Sequence, residues 1–91
     1  MKATLLQKER IKLGDNRFAE IVVWRLPRAV PGSAHSFKYR MVLVVNEVSV
    51  LRYDNEAGKG DHKHSGGVEV PYAFSTLDQL VDDFWTDVAT L

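Results

Sequence analysis

Residues 52–64 run Arg-Tyr-Asp-Asn-Glu-Ala-Gly-Lys-Gly-Asp-His-Lys-His, the densest group of side chains in the chain that could do chemistry. Two histidines, His62 and His64, stand two residues apart within it. Imidazole's ordinary pKa permits proton transfer in either direction near neutral pH. In extended backbone, residues two apart point the same way, so both rings can face one phosphate. For RNA cleavage, one histidine would withdraw a ribose 2′-hydroxyl proton while the other, or a lysine, protonates the leaving oxygen. Arg52, Lys59 or Lys63 would stabilise the phosphorane charge, and Asp54 or Asp61 would orient a ring. The candidate catalytic set is therefore His62, His64, Lys59, Asp61 and Asp54.

The same residues admit other roles. Asp54 can accept from loop amides and Asp61 can pair with Lys59, which would make the segment a hydrogen-bonded turn. Asp54, Asp61, His62 and His64 also offer hard and borderline ligands for zinc or manganese. They lack a recognised ligand spacing from a rigid element, so neither a metal nor another cofactor is expected. Gly58 and Gly60 permit backbone conformations closed to other residues and could bring amides close to a ligand. His35 follows a small-residue loop and reads as a surface or turn residue.

Composition bounds the class. The 91 residues make one domain, 1–91, with a limited core and little surplus stability. The chain has no cysteine, which removes disulfides and thiolate metal sites and fits a reducing cytoplasm. The longest apolar run, residues 41–45, is far too short to span a bilayer, and the N-terminus has no signal-like apolar block. A cytoplasmic protein without a membrane segment is expected.

A net charge of zero hides an asymmetry. All twelve lysines and arginines lie at or before Lys63, where residues 1–67 carry a balance of +5, while residues 68–91 hold five acids and no base. Such a division either neutralises itself on folding or leaves a positive surface for a polyanion. Lys38, Arg40, Arg52 and Lys63 are candidate nucleic-acid contacts, with Lys8, Arg10 and Lys12 on one face of the first strand. Tyr53 and Tyr39 either stack bases or join Phe18, Trp24, Phe37 and Phe84 in the core.

The elements that must position these residues are strands first and a helix last. Apolar and polar residues alternate over 4–13 and 17–26, separated by Gly14-Asp15-Asn16. Pro27, Pro31, Gly32 and Ser33 then mark a loop. Residues 37–45 form the clearest strand, and Asn46-Glu47 joins them to residues 48–54 as a hairpin. With a two-residue turn, Val45 faces Val48, Arg40 lies beside Tyr53 and Met41 beside Arg52. Residues 68–74, interrupted by Pro71, fit an edge strand.

Ser75 or Thr76 caps a final helix, with Asp78 in its first turn. Leu77, Leu80, Val81, Phe84, Val88 and Leu91 form its apolar stripe, and Trp85 lies off it, a candidate exposed partner contact. The expected fold is α+β, an antiparallel sheet of four to five strands with this helix on one face. Apolar residues on both faces of the sheet call for a further cover: a homodimer, another partner, or the loop over residues 27–36.

Tyr53-Asp54-Asn55, the run from Gly58 to His64, the following Tyr/Phe-containing segment and the helix together resemble the TumE-like bacterial toxins. The resemblance extends to Glu9-Arg10-Ile11, Trp24-Arg25, Pro27, Pro31-Gly32-Ser33, Tyr39-Arg40, Leu80 and Phe84. It implies a toxin held by a small helix-turn-helix antitoxin in a type II module. Asn46-Glu47 departs from the glycine-containing turn common in that family. The mechanism stays open between a ribonuclease and a noncatalytic nucleic-acid- or protein-binding domain.

Overall fold

Alternating side chains and short turns lay the chain out as a meander. A computed structural model describes residues 2–29, 31–32, 34–56 and 58–91. Ser33 and Ala57, read from sequence as loop positions, lie outside the described residues. The elements are β1 (Thr4–Gly14), β2 (Arg17–Arg25), β3 (Phe37–Val45), β4 (Val48–Glu56), β5 (Gly60–Ser65), β6 (Val68–Pro71) and α1 (Leu77–Ala89). All six strands join one antiparallel sheet in sequence order. The α+β class stands, with six strands where four to five were expected. The additional strand is β5, whose polar sequence reads as a loop.

The turns explain the register. Asn46 and Glu47 both have positive φ, 51° and 67°, as a two-residue hairpin of type I′ requires, and Val45 faces Val48 as expected. A bulge then interrupts the ladder: Val44 pairs with Ser49 and Leu43 with Leu51, so Val50 has no partner. The pairing beyond it moves by one residue. Arg40 lies opposite Asp54 and Met41 opposite Tyr53, which corrects the simple hairpin count. Gly66 and Gly67, also at positive φ, make the β5–β6 turn.

Helix α1 covers only one face. Leu80, Phe84 and Val88 pack with Ala19, Ile21, Val23, Tyr39, Met41, Leu43, Leu51 and Tyr53 in one buried cluster. Thr76 caps the helix through its hydroxyl, which accepts from the Gln79 amide at 3.1 Å. The last turn carries no basic residue of its own. Arg17 from β2 supplies the charge, donating to the carbonyls of Val88 at 3.0 Å and Leu91 at 2.8 Å. Leu91 itself is 52% exposed and leaves the expected stripe. Trp85 is half-buried edge-on to Phe84, so it is a flank of the core rather than a free contact.

The opposite face has no helix. Because side chains alternate, it carries Phe18, Glu20, Val22 and Trp24 from β2, Lys38, Arg40 and Val42 from β3, and Arg52 and Asp54 from β4. The β1 register adds Lys8, Arg10 and Lys12, with the Arg10 guanidinium 3.9 Å above the Phe18 ring. Six of the twelve lysines and arginines thus lie on the open face, and the acidic helix lies on the other. Among the described residues, no helix is long and apolar enough to cross a membrane.

Candidate functional site on the open sheet face

Strand pairing decides which of the candidate residues can meet. Asp54 faces His62 and Arg52 faces His64 across the β4–β5 ladder, placing all four on the open face. Glu69 of β6 stands opposite His64. Asp61 faces Asn55 and Lys63 faces Tyr53, on the helix side. The candidate catalytic set is therefore divided by the sheet.

On the open face, His62 is 4% exposed and Asp54 7%. His62 Nδ1 donates to the Gly60 carbonyl at 3.1 Å, which turns Nε2 toward Asp54 Oδ1 at 2.9 Å. The contact is close but not aligned as a hydrogen bond, and both buried atoms lack a hydrogen-bond partner. Arg52 Nη2 donates to His64 Nε2 at 2.9 Å, so His64 carries its proton on Nδ1. Arg52 Nε also lies 3.4 Å from Asp54 Oδ2. The two rings stand edge to face with centroids 5.3 Å apart. His64 is the more accessible of the pair. His62 is enclosed, which sets it apart from the two equally presented rings that the acid–base scheme assumes.

A groove runs beside this cluster over Val22, Trp24, Lys38, Arg40, Arg52 and Glu56. Arg40 is exposed, whereas Lys38 is half-buried and donates its ammonium to the Asn55 carbonyl. Trp24 is 36% exposed at the groove, not enclosed in the core. Neither Trp24 nor Glu69 belongs to the candidate set drawn from sequence. Their signals were the alternation that opposes Trp24 to Val23 and the Gly66-Gly67 turn that brings Glu69 back beside His64.

The helix side uses its share of the motif for packing. Asp61 accepts from His35 Nε2 at 2.8 Å and from the Tyr39 hydroxyl at 2.9 Å. His35 stacks on Phe74, centroids 3.8 Å apart, so it anchors its loop instead of lying on the surface. Gly58 donates its amide to the Pro31 carbonyl at 2.6 Å, and a Cβ on Gly60 would come within 2.8 Å of the Gly32 carbonyl oxygen. Gly60 admits the neighbouring loop, whereas Gly58 serves the turn through its φ of 84°. Lys59 is exposed in the intervening turn, beside a pocket that it lines with Asp61, His62 and Glu69.

Asn55 is wholly buried and extends the sheet with its side chain. Its Oδ1 accepts from the Tyr39 amide at 3.0 Å and its Nδ2 donates to the Phe37 carbonyl at 2.6 Å. Tyr53 is 1% exposed, against Phe84 and Tyr72, and its hydroxyl donates to Asp87. A base cannot stack there; burial explains the departure from the expected contact. Lys63 pairs with the same Asp87 at 3.0 Å. Burial alone would push the Asp87 carboxyl up, but the bonds from Tyr53 and Lys63, with the Lys63 charge, hold it below its ordinary value. Burial, followed by aspartate hydrogen bonds, pushes the hydroxyls of Tyr39, Tyr53 and Tyr72 above their ordinary value.

Comparison with curated proteins and with solved structures returned no match. A protein-family model described as "Toxin TumE" matches residues 2–91. That span includes every strand, the helix and both sides of the divided motif. The chain belongs to the TumE toxin family.

Proposed function

We propose that this toxin acts on RNA across the open face of its sheet and cleaves it beside the Asp54–His62–His64 cluster, so blocking translation. The observation that carries the reading is the alignment, on one uncovered face, of cations from three strands with that buried-to-exposed cluster. Lys8, Arg10 and Lys12 offer an entry track for the phosphate backbone, and Arg40 and Arg52 a position beside the rings. Lys38 keeps donors toward the groove after its bond to Asn55. Cationic donors at the phosphate would stabilise the charge that develops during cleavage.

A toxin family implies an antitoxin, and we assign the helix-turn-helix class to that partner in a type II module. An acidic antitoxin surface laid on the open face would both neutralise the cations and exclude RNA. A pulse of expression in bacteria, alone and with the candidate antitoxin, tests the reading through growth and mapped RNA ends. Growth arrest with new ends that vanish for His64→Ala is the expected result. Arrest without new ends would overturn the cleavage assignment and leave a binding toxin.

A further inference from the structure

We propose that Asp54, His62 and His64 form a binding site for a divalent transition metal of the zinc class, with Glu69 as the ligand at its rim. Ligand atoms of the first three residues lie within 4.8 Å of one another. Two features mark the place as more than a charge cluster. First, His62 Nε2 and Asp54 Oδ1 are buried, lack a hydrogen-bond partner and face each other at 2.9 Å. Metal–ligand bonds of about 2.1 Å at the tetrahedral angle place adjacent donors about 3.4 Å apart, so a small opening of this 2.9 Å pair lets one cation take both atoms and removes the mismatch. Second, His62 Nδ1 is tied to the Gly60 carbonyl at 3.1 Å, the backbone support that fixes a ligating imidazole with Nε2 outward.

The remaining donors are at hand. Glu69 Oε1 lies 3.6 Å from His62 Nε2, and Oε2 lies 3.8 Å from His64 Nε2. Two imidazoles and two carboxylates suit zinc or its first-row neighbours, whereas magnesium and calcium prefer oxygen donors throughout. Arg52 now spans the gap, 2.9 Å from His64 Nε2 and 3.4 Å from Asp54 Oδ2. Its guanidinium therefore stands in for the cation. Metal binding must take the His64 lone pair from Arg52 and release that side chain toward the groove, where Arg40 already lies. Guanidinium and metal compete for the same donors, which gives the site a distinctive signature.

The chemical consequence rests on the RNA reading above: a cation here could bind a water or a phosphate oxygen beside the cationic groove. Metal binding itself is measured without RNA, so either proposal can fail alone. The full chain, stripped with chelator, is titrated calorimetrically with zinc, manganese and magnesium chlorides, and thermal melting is recorded with each. We expect one zinc per chain, weaker manganese and no magnesium binding, with a zinc-dependent rise in melting temperature. His64→Ala, at the more exposed ligand, lowers zinc affinity at least about tenfold, while His35→Ala leaves it unchanged. Arg52→Ala raises zinc affinity, since it removes the competitor; a purely structural Arg–Asp–His network predicts no such gain. No zinc binding at millimolar metal overturns the proposal, as does binding that survives both His64→Ala and Asp54→Asn in folded protein.

Discussion

Replacing Asp61 by alanine separates the packing side of the motif from the side proposed to be reactive. The carboxylate holds His35 Nε2 at 2.8 and 3.0 Å and the Tyr39 hydroxyl at 2.9 Å. The His35 and Asp61 side chains are each 10% exposed, and Tyr39 is 1% exposed, so water cannot readily replace the lost acceptor. A hydrogen bond to a charged acceptor contributes about 1.5–3 kcal/mol; with partial relaxation, losing both donors' partner costs about 2–4 kcal/mol. A domain of this size has about 5–13 kcal/mol in total, so the loss is visible. With a urea m-value of about 1–2 kcal/mol/M, the unfolding midpoint falls by about 1–4 M.

Urea titration of wild type, Asp61→Ala, His35→Ala and the double variant measures this directly. The two single costs should not add, with a coupling of about 1–2 kcal/mol. At low urea, where Asp61→Ala remains folded, RNA cleavage and zinc binding should persist. An Asp61→Ala protein as stable as wild type refutes the anchoring role. A stable but inactive one would return Asp61 to the reaction centre.

Gly60→Ala should cost more than about 2 kcal/mol and loosen the loop over residues 27–36, because its Cβ meets the Gly32 carbonyl oxygen at 2.8 Å while φ is +76°. Limited proteolysis at that loop checks it. Glu47→Gly should raise stability by up to about 1 kcal/mol in thermal melting, by relieving a non-glycine residue at φ 67° in the β3–β4 turn. Tyr53→Phe alters the pH profile at both ends. The raised tyrosine pKa contributes stability that is full below the ordinary value of 10.0 and lost as pH rises through the folded value; the lowered Asp87 pKa contributes stability present above the ordinary 3.8 and lost as pH falls through the folded value. The variant should flatten the alkaline loss and weaken the acid one in stability measured against pH.

Much of the fold was legible because its signals are local. Alternation marked β1 to β4, turn residues bounded them, and Thr76 and the Leu80–Phe84–Val88 spacing marked the helix. Strand β5 was hidden because its open-face positions are His62 and His64 and its helix-face positions are Asp61 and Lys63. No apolar period can appear where the strand itself holds no apolar side chain. The bulge at Val50 was equally silent, and with it the register that sets Asp54 beside Arg40. Proximity in sequence therefore grouped residues that strand alternation sends to opposite faces. Lys63 and Asp61 find Asp87 and His35 through contacts 24 and 26 residues away, which no local pattern records.

Cleavage of bacterial RNA by the purified chain tests the central claim most directly when open-face and helix-face variants are compared side by side. His64→Ala and Arg40→Ala should abolish or strongly reduce new RNA ends, while Lys63→Ala, whose ammonium meets Asp87 on the helix side of the sheet, should retain them at temperatures where it is folded. Loss of cleavage in folded Lys63→Ala with full activity in His64→Ala would contradict the assignment of the reactive centre to the open face.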